Sequence, residues 1–179
     1  DSVVGDAPPP VPRHYETVLD EAALARWIEA IESAELVVFD TETTSVDPMQ
    51  ARIVGLSFAI EPGRACYIPL AHRYPGAPDQ LPLDATLARL APWFANRTKR
   101  KIGQNVKYDE HALANHGIAL EGVVHDTLLQ SYVLEAHRTH DMDSLAWRHL
   151  NVKTLAYAEV AGKGAKQIEF DQVRVDDAT

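Results

Sequence analysis

The sequence predicts an α/β protein in which helices cover a mixed sheet, and three observations support that prediction. The apolar run over residues 36–39 is short and bounded by polar residues, as in a buried strand. Two further strand-like runs follow, joined by the turn residues Glu61-Pro62-Gly63. Beyond them, short apolar segments alternate with helical patterns, which favours strands with helical connections.

The elements follow in chain order from local signals. Five strands are predicted at residues 36–41, 53–60, 65–69, 101–103 and 123–125. Helices are predicted after residue 20, over 83–94, from about 105 to 116, over 127–134 and over 144–150. Aspartates suited to N-caps mark most of these helix starts, and a glycine suits the end of the third helix. These cap residues are Asp20, Asp84, Asp126, Asp143 and Gly117. Residues 1–14 are proline-rich and predict an extended linker.

The composition indicates one compact domain in a reducing compartment. A chain of 179 residues with 46% hydrophobic residues can bury a core. Its single cysteine, Cys66, excludes an internal disulfide and a cysteine-rich zinc site. We expect a cytoplasmic protein, because no apolar stretch reaches membrane-spanning length and no secretory signal is visible. The chain begins at Asp1 without methionine, so we expect a processed or excised piece.

The net charge of −9 argues against tight, sequence-independent binding of duplex nucleic acid, because such affinity comes largely from Lys and Arg. Bound metal ions could still supply positive charge locally at the end of a strand. One basic run, residues 97–101, could face a phosphate path. A solvated loop between helix and strand is the favoured interpretation of this run.

The triplet Asp40-Thr41-Glu42 ends the first predicted strand and is the most informative feature of the chain. Side chains two apart in a strand point the same way, so the two carboxylates would project together. Two such close carboxylates repel each other unless a cation lies between them, and Mg²⁺ prefers oxygen ligands. The alternative is a strand that ends in a solvated turn.

A second polar group of residues spans 103–109 and begins a predicted helix. Asn105 and Asp109 are four residues apart, so they share a helix face, and Asp109 lies in the first turn. A third carboxylate could thus be directed at the end of the first strand. The alternative is ordinary helix-start chemistry, in which an acidic first-turn residue stabilises the helix by ~0.3–1 kcal/mol without a further role.

Together these segments resemble a known family, the 3′→5′ proofreading exonuclease domain of bacterial DNA polymerase I (family A), within the DEDD exonucleases. Residues 39–43 are similar to the first exonuclease motif of that family, and residues 103–109 to the second. The similarity continues through residues 55–63, 77–80, 140–145 and 161–168. It covers the chain from about Tyr15 to the C-terminus, so several spaced motifs occur in the family's order.

The resemblance implies a ribonuclease H-like exonuclease fold, with a mixed, mostly five-stranded sheet flanked by helices. It also implies two Mg²⁺ ions, for which Mn²⁺ would substitute, held by the catalytic residues Asp40, Glu42 and Asp109. The family's pattern further implies residues that bind the end of the substrate strand. These are Thr41, Val46, Gln104, Asn105, Tyr108 and Tyr157.

One departure from the family concerns its third motif, which carries a tyrosine and the last metal-binding aspartate. The resemblance implies that both fall just beyond Thr179. An alternative is that the natural chain continues past Thr179 and carries them there. Asp171, Asp176 and Asp177 precede that position, and we expect all three to be surface acids. We therefore expect residues 15–179 to form an exonuclease domain truncated just before the third motif, which alone hydrolyses DNA slowly or not at all.

Three functions remain open on the sequence. The first is a DNA 3′→5′ exonuclease domain that edits a single-stranded 3′ end, releases nucleoside monophosphates and is joined to a C-terminal polymerase domain. We expect such a domain to be a monomer with no membrane contact. The second is an exoribonuclease of the same fold, because the acidic motifs do not distinguish DNA from RNA. The third is a non-catalytic scaffold domain of a polymerase.

Overall fold

The computed structural model describes residues 12–179, so most of the predicted linker over residues 1–14 lies outside the described residues. The described chain forms a six-stranded sheet in the order β1-β4-β3-β2-β5-β6. The strands are β1 (His14–Thr17), β2 (Leu36–Thr43), β3 (Ile53–Glu61), β4 (Arg64–Pro69), β5 (Arg100–Gly103) and β6 (Val123–Asp126). The helices are α1 (Glu21–Ser33), α2 (Leu83–Phe94), α3 (Val106–Ala114), α4 (Thr127–Glu135), α5 (Met142–Leu150), α6 (Tyr157–Val160) and α7 (Val175–Ala178).

The sheet is mixed, as the sequence predicts. β2, β3 and β4 form an antiparallel meander, whereas β5 runs parallel to β2 and β6 runs parallel to β5. The prediction of five strands was one too few, because β1 pairs in parallel with β4 at the edge of the sheet. β1 has no apolar alternation and depends on a partner some fifty residues away, so local sequence carries no signal for it. Its Thr17 hydroxyl hydrogen-bonds with that of Thr179 at 2.8 Å.

Most helix boundaries agree with the predicted caps, with three corrections. One is that α3 ends at Ala114 with Asn115 as its C-cap, so Gly117 lies two residues beyond the cap. Asp20 caps α1 and Asp126 caps α4 through backbone N–H groups, as predicted. α5 begins earlier than predicted and is capped by Asp141; Asp143 lies inside the helix and accepts from the Thr154 hydroxyl at 2.5 Å. Asp84 lies in the first turn of α2 without capping it, because Pro82 holds the N-cap position.

The main core lies between one face of the sheet and helices α1, α2 and α3. Phe39 on β2 pairs with Phe58 on β3 and meets the ring of Phe94 edge-on at 5.6 Å. Alternation along β2 buries Val37, Phe39 and Thr41 on this face. Asp40 and Glu42 consequently belong to the opposite face.

A smaller core covers that opposite face. Val54 and Tyr67 from the sheet pack there against residues of the C-terminal segment, including Phe170 and Val173. The C-terminal segment therefore lies on the same side of the sheet as the two acids of β2. No helix within residues 12–179 combines the length and apolar character needed to cross a bilayer.

Candidate active site

The end of β2 carries the first two acids of the site. Glu42 pairs in register with Gly55 of β3, and the ring of Tyr67 occupies the space above that glycine, where a Cβ atom would lie 2.1 Å from the tyrosine hydroxyl. Burial, and then the charge of Glu42, raises the pKa of Tyr67. Glu42 therefore lies beside a buried aromatic wall, which removes water from one side of its carboxylate.

The third acid reaches the same strand from α3. Pairing of β2 with β5 stops at Val38 and Ile102, which leaves the next N–H groups of β2 free on that side. Asp109 fills this gap: its Oδ1 accepts from the backbone N–H of Thr41 at 3.0 Å and from the Thr41 hydroxyl at 2.7 Å. Asp109 is 2% exposed, so this is a buried carboxylate fixed against the strand that carries the other two.

Burial is the main cause of the raised pKa values of all three acids, and neighbouring acidic charges add to it at Glu42 and Asp109. Burial raises the pKa of Asp40 to about 6. Burial, and then the charges of Asp40 and Asp109, raises the pKa of Glu42 to about 8. Burial, and then the charge of Asp40, raises the pKa of Asp109 to about 7, although the hydrogen bonds from Thr41 act in the opposite direction. The charges of Asp40 and Asp109 thus act on Glu42, which places the three acids in one region of the molecule.

Within the part of the chain that the structure describes, no basic side chain forms an ion pair with these acids. Every ion pair formed by residues 12–179 lies elsewhere. Carboxylate oxygens alone make up the set, which suits a hard divalent cation such as Mg²⁺ better than zinc. Their positions do not yet form a closed group of three ligands anywhere in the described chain. Oδ1 of Asp109 instead accepts hydrogen bonds from Thr41. The carboxylate oxygens suit a divalent cation, but the three side chains would have to move towards one another to bind it.

A cleft of about 470 Å³ opens beside Glu42. It contains four of the predicted substrate-binding residues, namely Thr41, Val46, Tyr108 and Tyr157. The Tyr108 hydroxyl donates to the Ser45 carbonyl oxygen and also contacts the Thr43 hydroxyl. Tyr108 therefore fixes the loop after β2 that forms one wall of the cleft.

Gln104 and Asn105, the other two predicted substrate-binding residues, do not line this cleft. The Gln104 amide nitrogen donates to the His140 carbonyl oxygen at 2.9 Å, and its oxygen accepts from the Thr127 hydroxyl. Both polar ends of this side chain are therefore used within the protein. Asn105 is exposed and takes the N-cap position of α3 with a left-handed backbone, at φ 59°.

The opposite wall of the cleft comes from residues that the sequence did not identify. It is formed by Gln167, Ile168, Glu169 and Phe170. The rings of Tyr157 and Phe170 lie nearly parallel at 6.3 Å. The alternation of apolar residues around Ile168 and Phe170 could have indicated a packed segment, but its contact with β2 is not local and has no sequence signal.

Two predictions about charged residues were wrong. Asp171 is 1% exposed rather than a surface acid, because it forms an ion pair with Arg73, 98 residues away in the chain. Lys101, in the basic run predicted as a solvated loop, is fully buried. Its ammonium group donates to the carbonyl oxygens of Asn96 and Lys99 and lies 4.5 Å from the Trp93 ring centroid. Asp176 and Asp177 are exposed, as expected.

The mixed sheet with flanking helices, and with acids at the end of its central strand, places the chain in the class of ribonuclease H-like exonuclease folds. Brucella melitensis NrnC matches with TM-score 0.57 and 18% identity, over 81% of this chain and 62% of that one. Trypanosoma brucei RNase D in complex with GMP matches with TM-score 0.61 and 15% identity, over 78% of this chain and 42% of that one. At these identities the likeness concerns the fold.

Sequence comparison identifies the family within this class. A family model described as 3′-5′ exonuclease matches residues 15–174. DNA polymerase I of Pseudomonas aeruginosa is 49% identical over 179 residues, which cover 97% of this chain and 20% of that protein. DNA polymerase I of Rhizobium leguminosarum is 38% identical over 183 residues, covering 92% of this chain and 18% of that protein. The chain belongs to the family of 3′–5′ exonuclease domains of family A DNA polymerases, and it spans about a fifth of the length of these relatives.

Proposed function

We propose that this domain removes nucleotides from the single-stranded 3′ end of DNA by metal-dependent hydrolysis, with Asp40, Glu42 and Asp109 as the metal ligands. The observation that supports this most directly is a buried carboxylate, Asp109, and two half-buried ones, Asp40 and Glu42, which have raised pKa values and form no ion pair within residues 12–179. Such a set is unfavourable for the empty protein and becomes favourable when divalent cations bind.

Two divalent cations bound at these carboxylates would activate a water molecule and stabilise the leaving oxygen of the phosphodiester. The positions of the three acids indicate how each would bind the cations. Asp40 and Glu42 are presented on one face of β2, and Asp109 is held to the same strand through Thr41. No side chain is required as a nucleophile. Mg²⁺ is the expected ion, with Mn²⁺ as a substitute.

The cleft supplies the binding surface for the end of the strand. Val46 is 94% exposed and Tyr157 is 50% exposed, and both line the cleft. Apolar and aromatic surfaces of this kind stack on bases of any sequence. With a net charge of −9, the chain depends on bound cations rather than on basic side chains to hold a phosphate backbone. We place this activity in a monomeric domain of a cytoplasmic polymerase.

We also propose that this chain alone has low activity. Among the described residues, the acids that line the cleft are Glu42 and Glu169, and Asp171 is held by Arg73. Glu169 faces the cleft from the C-terminal segment and lies 3.9 Å from Arg73, so it is not assigned as a fourth ligand beside Asp40, Glu42 and Asp109. We expect weak metal binding and slow hydrolysis by residues 1–179 alone.

The test follows nucleotide release from a single strand labelled at its 5′ end, with Mg²⁺, with Mn²⁺ and with EDTA. We expect slow shortening from the 3′ end with either metal and none with EDTA. Asp40→Asn and Asp109→Asn should abolish it, whereas Asp176→Asn, at an exposed acid, should not. Equal release by Asp40→Asn and the unaltered protein would refute the proposal.

A matched RNA strand in the same assay addresses the alternative of an exoribonuclease. That alternative is supported by a fold shared with RNase D, not by a contact in this structure. Preferential release of nucleotides from the RNA strand would show that RNA, not DNA, is the substrate. No release from either strand, together with no response of the protein to Mg²⁺, would favour the scaffold function.

A further inference from the structure

Asp126 accepts hydrogen bonds from the starts of two helices at once. At α3, its carboxylate accepts from the backbone N–H of Asn105 at 3.1 Å and of Val106 at 2.9 Å. At α4, it accepts from the N–H of Leu128 at 2.9 Å and of Leu129 at 3.4 Å. One side chain at the end of β6 thus satisfies N–H groups that both helices leave without an internal partner.

The start of α3 depends on this distant carboxylate because it has no cap of its own. Its N-cap residue, Asn105, has a left-handed backbone and makes no side-chain capping hydrogen bond. The helix therefore receives its capping group from a residue about twenty positions further along the chain. A second tie, from Gln104 to the Thr127 hydroxyl, joins the same turn to α4.

Asp109 lies in the first turn of α3, three residues after Val106. A shift or rotation of that turn moves the Asp109 carboxylate directly. A shift of the same size at the other end of α3 would not. The hydrogen bonds from Thr41 hold the carboxylate from the strand side, and Asp126 holds the backbone that carries it. Asp109 is therefore held at its carboxylate by Thr41 and, through the backbone of the first turn, by Asp126.

We propose that Asp126 is a positioning residue, which sets the place of Asp109 against β2 and thereby the affinity of the site for divalent cations. The part of this inference that concerns cations rests on the proposed function. The part that concerns the place of Asp109 does not. Asp126 itself caps two helices and is not assigned to the reacting atoms.

The experiment compares Asp126→Ala with Asp20→Ala in the complete chain. Asp20 caps α1 through the N–H of Ala23 at 2.8 Å, so its loss removes a cap of the same kind from a helix that carries no acid of the site. Both variants should lower the melting temperature. Asp126→Asn keeps an acceptor oxygen and should fall between Asp126→Ala and the unaltered protein.

Two readouts separate positioning from simple capping. The first is the exchange rate of the Thr41 amide hydrogen in EDTA, which reports on the hydrogen bond to Asp109. It should rise in Asp126→Ala and stay unchanged in Asp20→Ala. The second is the Mg²⁺ concentration that gives half of the thermal stabilisation, which should rise ~10–100-fold in Asp126→Ala only.

Equal Thr41 exchange in the two alanine variants would overturn the inference, whatever the metal result. If Thr41 exchange changes as expected but Mg²⁺ stabilises none of the proteins, the place of Asp109 is set by Asp126 and the proposed metal chemistry fails. If Mg²⁺ stabilises all of them with the same midpoint, Asp126 does not set the affinity of the site for cations, and that part of the inference is wrong.

Discussion

Asp109 of α3 and Thr41 of β2 are joined by two hydrogen bonds to one oxygen, from the backbone N–H at 3.0 Å and from the hydroxyl at 2.7 Å. Thr41 is therefore more than the middle residue of an acidic triplet. Its side chain faces the core with Phe39, and its donors hold the acid that arrives from a different element. Strand and helix are coupled at the site through this residue.

The first prediction concerns Thr41→Val, which keeps the shape of the side chain and removes the hydroxyl donor. Hydrogen bonds to charged groups contribute ~1.5–3 kcal/mol, so we expect a loss of that order in the free energy of unfolding above pH 8, where Asp109 is ionised. The pKa of Asp109 should rise further, as followed by carboxyl NMR. Thr41→Ser retains the hydroxyl and serves as the control; a loss as large in Thr41→Ser would contradict the argument.

The second prediction concerns pH and the metal-free protein. The folded pKa values of Glu42 and Asp109, about 8 and about 7, lie above the ordinary values of 4.5 and 3.8. A raised carboxyl pKa contributes stability that is complete below the ordinary pKa and is lost as pH rises through the folded pKa. In EDTA, the free energy of unfolding should therefore fall as pH rises from about 4 to about 8. A carboxyl that keeps its proton only in the folded protein contributes a fall of ~1.4 kcal/mol per pH unit, which denaturant unfolding at a series of pH values measures.

Lys101 requires a control in that experiment. Burial lowers its pKa to about 8, and a lowered lysine pKa makes stability rise with pH above that value. Glu42→Gln retains Lys101 and removes the Glu42 carboxyl. Its free energy of unfolding should therefore fall less steeply with pH, between about 4 and about 8, than that of the unaltered protein. Identical profiles would show that Glu42 ionises normally. Saturating Mg²⁺ should reduce the fall, because a bound cation favours ionised ligands.

The third prediction concerns Gly55, opposite Glu42. A Cβ atom there would lie 2.1 Å from the hydroxyl oxygen of Tyr67 and 2.3 Å from its Cζ. Tyr67 cannot move freely: its hydroxyl hydrogen-bonds with Nε2 of His72 at 2.7 Å, and Nδ1 of His72 donates to the Val173 carbonyl oxygen at 2.9 Å. Gly55→Ala should therefore lower the free energy of unfolding by ~1–3 kcal/mol through overpacking.

A double-mutant cycle tests the cause. Tyr67→Leu should recover part of the loss when combined with Gly55→Ala, since the smaller side chain vacates the space. Gly76→Ala carries a backbone cost of its own, because φ is 83°, but its Cβ meets nothing within 4 Å, so Tyr67→Leu combined with it should simply add its own loss. Additive losses in both pairs would exclude a clash between Gly55 and Tyr67 as the cause.

The fourth prediction concerns Tyr157 in the cleft wall. Tyr157→Ala should raise the KM for single-stranded DNA, because base–aromatic stacking contributes ~1–3 kcal/mol per base. The Mg²⁺ midpoint should not change, since Tyr157 is not among the acids. Tyr15→Ala removes an aromatic ring that is 52% exposed on β1, away from the cleft, and should leave the KM unchanged. Equal effects of the two substitutions would argue against a base-binding role.

Local sequence was sufficient for the parts of the fold that local interactions determine. The apolar run of β2, the turn between β3 and β4, and the caps Asp20 and Asp126 are readable because propensity and hydrogen bonding act within a few residues. The acidic motifs predicted one site for Asp40, Glu42 and Asp109; the charges of the other two raise the pKa of Glu42, but within residues 12–179 the three do not form a closed group of metal ligands.

The remaining features depend on contacts between distant segments. The burial of Asp171 follows from Arg73, and the second role of Asp126 follows from the approach of α3 to α4. The hydrogen bonds of Gln104 also could not be predicted from the sequence. Its position in a motif does not reveal that its amide nitrogen donates to His140 and its amide oxygen accepts from Thr127. Such pairings require the three-dimensional arrangement.

The hydroxyl contact between Thr17 and Thr179, at 2.8 Å, has a consequence for protein engineering. Two points 162 residues apart in the chain lie side by side, so a few glycine and serine residues can connect them. A circularly permuted chain, joined from Thr179 to the start of β1 and opened in the exposed turn at Gly76, would keep the strand order and the acids of β2, and would turn the contact between Thr17 and Thr179 into a local one.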